Sequence, residues 1–218
     1  MTRVAFIHAL RQSLAPLDEE MDRQWPESER MHLLDSSLAS DLARSPHGLD
    51  ARFDARMMQL AEYAVRTGAA GILFTCSAFG RCIEHVPRRL APLPVLEPNE
   101  AMIDEAVASG GRIGLVATFA PTLMSMVAEF PEGAELHVAR AAGALEALRA
   151  GSGVGHDRLI VRAAEALVRE GCTVIALAQF SMARAAHAVA LGAGVPVLTT
   201  VSSAVRRLHE RVERRAIP

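Results

Sequence analysis

No lysine occurs anywhere in the chain, so all 23 basic residues are arginine. That gap removes two large enzyme classes, because a pyridoxal phosphate enzyme needs a lysine for its Schiff base and a Walker A loop needs one on the nucleotide phosphates. Charge of one sign is not in excess either. A net charge of -2 and a pI near 6.4 provide no basic surplus to hold nucleic acid or an anionic membrane surface. Long apolar runs are also missing: nowhere do about 18 uninterrupted apolar residues appear, and the opening MTRVAFIHAL has no small-residue cleavage site. A cytoplasmic protein with neither nucleic-acid nor membrane partners is expected. Cysteine is scarce. Cys76, Cys82 and Cys172 are an odd number without metal-type spacing, so neither a disulfide framework nor a metal site is expected.

What the chain does contain is an α/β pattern. At 218 residues and 50% hydrophobic content it can bury a core as one large domain or as two lobes. Apolar strand-like runs fall at 4–7, 71–75, 94–96, 113–117, 136–139, 174–178 and 196–199, and helical periodicity falls between most of them, at 54–66, 100–108, 157–170 and 202–212. Strands alternating with helices predict parallel sheet. Gly151-Ser-Gly-Val-Gly155 has the composition of a phosphate loop, but it lies between two helical patterns instead of after a strand, and reads as a flexible connection. Residues 11–50 mix polarities with little period and read as a lid or a long connection.

The two halves repeat one another. Gly68 to Cys76 lines up with Gly171 to Gln179, Pro94-Val-Leu96 with Pro196-Val-Leu198, and Arg3 to His8 with Arg112 to Ala117, at offsets of 103, 102 and 109 in the same order. Two similar lobes follow, with 1–97 plus about 199–218 forming the first and 98–198 the second. In open parallel sheets ligands bind outside the carboxyl ends of the strands. Two lobes facing each other would therefore set Cys76 and Gln179 on opposite walls of one cleft, which is the expected active site.

The duplicated halves, the strand-ending cysteine of TCSAFG, and the segments PVLEPNEA, RIGLVATFAPT and VPVLTTVSSAVRRL resemble the aspartate/glutamate/hydantoin racemase superfamily, which also includes maleate isomerases and arylmalonate decarboxylases. The resemblance covers nearly the whole chain. It implies isomerase-like or racemase-like chemistry without a cofactor, on the carbon beside a carboxylate, carried out by one cysteine at each of two facing positions. It implies a small carboxylate substrate, and a homodimer or higher oligomer. The absence of lysine agrees with such chemistry.

Cys76 is then the proton donor or base. A strand end that runs into a helix start exposes a thiol to unpaired N–H groups, which are expected to lower its pKa. The same groups are expected to hold a substrate carboxylate together with Ser77, Ala78 and Phe79. On the second half, Gln179, Phe180 and Ser181 are the matching substrate-binding candidates. Thr118 and Thr122, around Pro121, serve either as helix caps or as carboxylate ligands. His8 follows the first strand, at the position where the resemblance places an aspartate in glutamate racemases. Its expected role is proton transfer near neutral pH, paired with Cys76.

Gln179 stands where the resemblance places the second cysteine, and an amide neither gives nor takes a proton near neutral pH. One-sided chemistry is the expectation, as in the single-thiol arylmalonate decarboxylases, which keep the thiol of the second half where this chain keeps that of the first. A cleft that only binds a small acid is the remaining alternative.

Overall fold

The computed structural model describes residues 1–216. Two compact units emerge, one of Met1–Pro98 with the chain from Ala204 on, the other of Asn99–Ser203. In the first unit the order is β1 (Arg3–His8), α1 (Leu14–Gln24), β2 (Glu29–Leu34), α2 (Leu38–Arg44), α3 (Ala51–Arg66), β3 (Gly71–Phe74), α4 (Gly80–Ile83), α5 (Val86–Arg89) and β4 (Val95–Leu96). The second unit contains α6 (Glu100–Ala108), β5 (Ile113–Ala117), α7 (Ala120–Glu129), β6 (Leu136–Arg140), α8 (Ala144–Arg149), α9 (Gly153–Arg169), β7 (Val174–Leu177), α10 (Ala186–Ala193) and β8 (Val197–Thr199). The last helix, α11 (Thr200–Ala216), carries the chain back into the first unit.

Each unit holds a four-stranded parallel sheet. The orders are β2-β1-β3-β4 and β6-β5-β7-β8, the same permutation in both. Strand register gives the duplication residue by residue. Val4 pairs with Gly71 where Ile113 pairs with Val174, and Ile72 pairs with Val95 where Ile175 pairs with Val197, which reproduces the offsets of 109, 103 and 102. The same spacing governs the helices packed on the sheets. Phe53, Met57, Ala61 and Ala64 form the buried stripe of α3, and His156, Ile160, Ala164 and Leu167 form that of α9, again 103 residues on.

The central strands read as apolar runs because helices cover both faces of a parallel sheet and leave no solvent side to alternate against. β3, β5 and β7 are buried along their whole length. The edge strand β2, ERMHLL, is half-buried at every position, which explains its mixed composition. Residues 11–50 are therefore neither a lid nor a long connection: they supply α1, the edge strand β2 and α2. Gly151 to Gly155 is not a flexible connection either. Gly151, at φ +80°, follows the end of α8, while Gly153 and Gly155 lie in the first turn of α9, where the Ser152 hydroxyl accepts the Gly155 N–H. Two glycines in a first turn hide the start of a helix from periodicity.

α11 closes the first unit over the start of β3. A Cβ on Gly71 would stand 2.7 Å from Val212 Cγ2 and 2.9 Å from Leu208 Cδ1, closer than packed carbons tolerate. Gly71→Val is expected to lose about 1–3 kcal/mol of stability through overpacking, measured by urea unfolding. Unchanged stability would show that α11 does not seat there.

Candidate functional site

Cys76 lies two residues past the end of β3 and Gln179 two residues past the end of β7, each in extended backbone just before a short 3-10 helix, Ser77–Phe79 and Phe180–Ala185. The strand ends are anchored alike. Thr75 N–H donates to Ile7 O, and Ala178 N–H to Val116 O, both at 3.0 Å. The backbones are thus equivalent, and the side chains set the difference.

Cys76 is half-buried and packs against the core formed by Ile7, Ala9, Phe74 and Met57. Burial raises its thiol above the ordinary 9.0, and the Ala78 N–H offsets only part of that rise. The expected lowering is overturned because the helix start here is three residues of 3-10 structure, too short a dipole to outweigh desolvation. The thiol is held protonated at neutral pH. Cys82, in α4, is buried, and its thiol is pushed up to about 12 by desolvation, then by Asp54. Cys172 is buried ahead of β7, with its thiol raised by desolvation.

His8 is fully buried, and its ring nitrogens are fully used. Nδ1 lies 2.8 Å from Ser13 Oγ and 2.9 Å from Thr75 Oγ1, and Nε2 lies 3.0 Å from His32 Nδ1. His32 Nε2 is 3.1 Å from the Asp18 carboxylate, which can only accept. That end fixes one proton: His32 donates from Nε2 to Asp18, and the His8 tautomer sets the direction of the bonds to His32 and Thr75. Ser13 donates to Leu10 O at 2.7 Å. The rings of His8 and His32 also stack, 5.2 Å apart.

Two expectations for His8 fail on this geometry. Burial, then the neighbouring His32, lowers its pKa from 6.5 to about 3, so it does not titrate near neutral pH. It also borders a recess with Cys76 but forms no hydrogen bond to it, so the imidazole–thiol pair is not assembled. His8 instead ties the ends of β1 and β3 to α1 and β2. Sequence reasoning missed Ser13, His32, Asp18 and Thr75, which come from four segments and share no spacing.

In the second unit, Gln179 Oε1 accepts the Thr118 N–H and the Thr118 hydroxyl, each at 2.8 Å. Thr118 therefore holds Gln179 and does not cap α7, whose cap position is Phe119. Thr122 is half-buried within the first turn of α7. The hydroxyls of half-buried Ser77 and Ser181 form no side-chain hydrogen bond among the described residues, although the Ser77 carbonyl accepts the Gly80 N–H, and Ala78 is exposed. Phe79 is not open to a ligand: its ring meets that of Phe53 in a tilted contact at 5.8 Å inside the core, and Phe180 is likewise buried. Among the described residues, no three His, Cys, Asp or Glu side chains group as metal ligands, and no helix is long and apolar enough to cross a membrane.

The buried His8 has a thermodynamic signature. Its native pKa is depressed, so below pH 6.5 the unfolded chain takes a proton that the native state refuses. Stability should fall with decreasing pH from 6.5 toward about 3, by up to about 1.4 kcal/mol per pH unit from this group. Urea unfolding at stepped pH should show a shallower slope in His8→Gln; equal slopes would place His8 in solvent.

A family model described as Asp/Glu/hydantoin racemase matches residues 12–208. No curated protein matches the sequence. Among solved structures, allantoin racemase from Klebsiella pneumoniae superposes with a TM-score of 0.75 at 20% identity, covering 99% of this chain and 89% of that one. Glutamate racemase from Bacillus anthracis gives 0.74 at 13% identity, over 99% and 83% of the two chains. Unliganded arylmalonate decarboxylase gives 0.62 at 18% identity, over 97% and 93%. These likenesses establish the fold, two parallel-sheet lobes flanked by helices.

Proposed function

The chain belongs to the Asp/Glu/hydantoin racemase family, and we propose that it is a cofactor-independent enzyme that moves a proton at the carbon beside a carboxylate, with Cys76 as the proton-transfer group. The observation that carries this reading is the register: Cys76 follows β3 in the backbone setting in which Gln179 follows β7. With a thiol after one strand and an amide after the other, only one of the two equivalent positions can move a proton.

The state of the thiol favours donation. A half-buried, protonated Cys76 is prepared to deliver its proton to a carbanion more readily than to take one from carbon. Ser77 and the first N–H groups after Cys76, which have no intrahelical partner, hold the carboxylate and the enediolate that develops from it. Isomerase-like proton transfer is the family's general chemistry.

A second reading, loss of CO2 from a substituted malonate, is favoured by the same protonated thiol on the first unit and a non-titrating Gln179 at the equivalent position of the second. There the bond to one carboxylate carbon breaks, CO2 leaves, its electron pair remains as the enediolate, and the Cys76 S–H proton goes to carbon. The thiolate then recovers a proton from solvent. Arylmalonate decarboxylase is among the solved structures of this fold.

Proton NMR in D2O on amino acids, hydantoins, substituted malonates and maleate tests the proposal. Exchange, isomerisation or CO2 loss is expected with the native protein, reduced by roughly 10²-fold or more in Cys76→Ala. Equal turnover by both would overturn Cys76 as the proton-transfer group. No turnover by either, with compounds still raising the melting temperature, would make the chain a small-acid binding protein. If a malonate is the substrate, chiral chromatography should give the product opposite in hand to that of enzymes with the second-half thiol.

A further inference from the structure

The carboxamide of Gln179 is locked in one orientation. A backbone N–H can only donate, so the atom facing Thr118 N at 2.8 Å is the amide oxygen. A flipped amide would set two donors against each other there. The Thr118 hydroxyl fills the second lone pair of the same oxygen, also at 2.8 Å. Gln179 Oε1 is thus saturated, and what remains is the NH2 group, two donors without a partner among the described residues on a half-buried side chain.

This lock belongs to the second unit alone. At the offset of 109 that relates β1 to β5, the counterpart of Thr118 is Ala9, which has no side-chain hydrogen-bonding group, and the counterpart of Gln179 is Cys76. Threonine and glutamine together replace alanine and cysteine, so a titrating group in one unit corresponds to a fixed, non-titrating donor in the other.

We infer that Gln179, positioned by Thr118, is a specificity-determining residue whose free NH2 takes an acceptor-only anionic group, a carboxylate or the oxyanion that grows from it, and rejects an ammonium. The inference rests on the reading of the chain as a carboxylate-directed enzyme and deepens it by assigning the polarity of the second-unit subsite. An ammonium brings only donors, and two NH2 donors with no free acceptor offer it nothing. Because an amide does not titrate, this selection is independent of pH across the neutral range.

NMR on the 15N,13C-labelled full chain tests it. The Gln179 side-chain resonances are assigned by their loss in Gln179→Glu, and malonate, maleate and glutamate are titrated, with ethylenediamine as the cationic probe. A through-hydrogen-bond coupling from Thr118 N to Gln179 Cδ is expected, together with movement of the Gln179 NH2 signals by carboxylates and none by ethylenediamine. In Gln179→Glu, Thr118 still holds one oxygen and the other becomes a free carboxylate, so carboxylate binding should weaken by about tenfold or more. Thr118→Val, which keeps the N–H and removes the hydroxyl, should weaken it less. Absence of the coupling, no response of the NH2 signals to any carboxylate, or equal binding by Gln179→Glu would each overturn the inference. The two readings separate cleanly: carboxylate binding at Gln179 in a protein whose turnover ignores Cys76→Ala sinks the enzyme proposal alone. Turnover with unchanged KM in Gln179→Glu sinks the subsite alone.

Discussion

Parallel pairing of β1 with β3, and of β5 with β7, is the constraint on which the rest of the structure depends. These central strands are buried on both faces, so a slip of one residue would exchange every side chain between two packed layers. Register is therefore held tightly, and with it the position of whatever follows each strand. Thr75 reaches Ile7 and Ala178 reaches Val116 by the same backbone bond, which delivers Cys76 and Gln179 to equivalent places without any help from their own side chains. A duplicated backbone held this way can vary its strand-end residues without disturbing its core.

Desolvation then decides what those residues can do. His8 has an ordinary pKa suited to proton transfer, yet burial beside a second imidazole lowers it to about 3 and commits the ring to hydrogen bonding. Five segments of the chain meet in that network, from the Asp18 carboxylate on α1 through His32 and His8 to Thr75 and Ser13. The same cause holds Cys76 protonated. A short 3-10 turn has little dipole to oppose it, so a thiol at a helix start stays a thiol instead of becoming a thiolate.

Divergence between the halves has different consequences in the core and at the strand ends. The stripes of α3 and α9 keep one spacing of buried residues although Phe53 is replaced by His156 and Met57 by Ile160. Packing tolerates apolar exchanges of similar volume, such as Met57 for Ile160, while His156 keeps Nδ1 2.8 Å from the Asp157 carboxylate. At the strand ends the exchange of Ala9 and Cys76 for Thr118 and Gln179 alters hydrogen-bonding capacity and removes a titrating group, while the backbone remains the same.

Much of the fold was legible in the amino-acid order because fully buried parallel strands must be apolar runs and a duplication must repeat its spacing; the three offsets reappear as strand register. The edge strand β2 and the first turn of α9 were not legible, since half-exposure erases one periodicity and glycine the other. The sequence by itself determined the sheet-and-helix plan, the repeat, and the places of Cys76 and Gln179 after their strands. Tertiary structure alone decided that His8 meets His32 and Thr75 instead of Cys76, that the thiol stays protonated, and that Thr118 turns the Gln179 amide. The physical reason is that burial and hydrogen-bond direction depend on neighbours distant along the chain, and residue spacing carries no record of them.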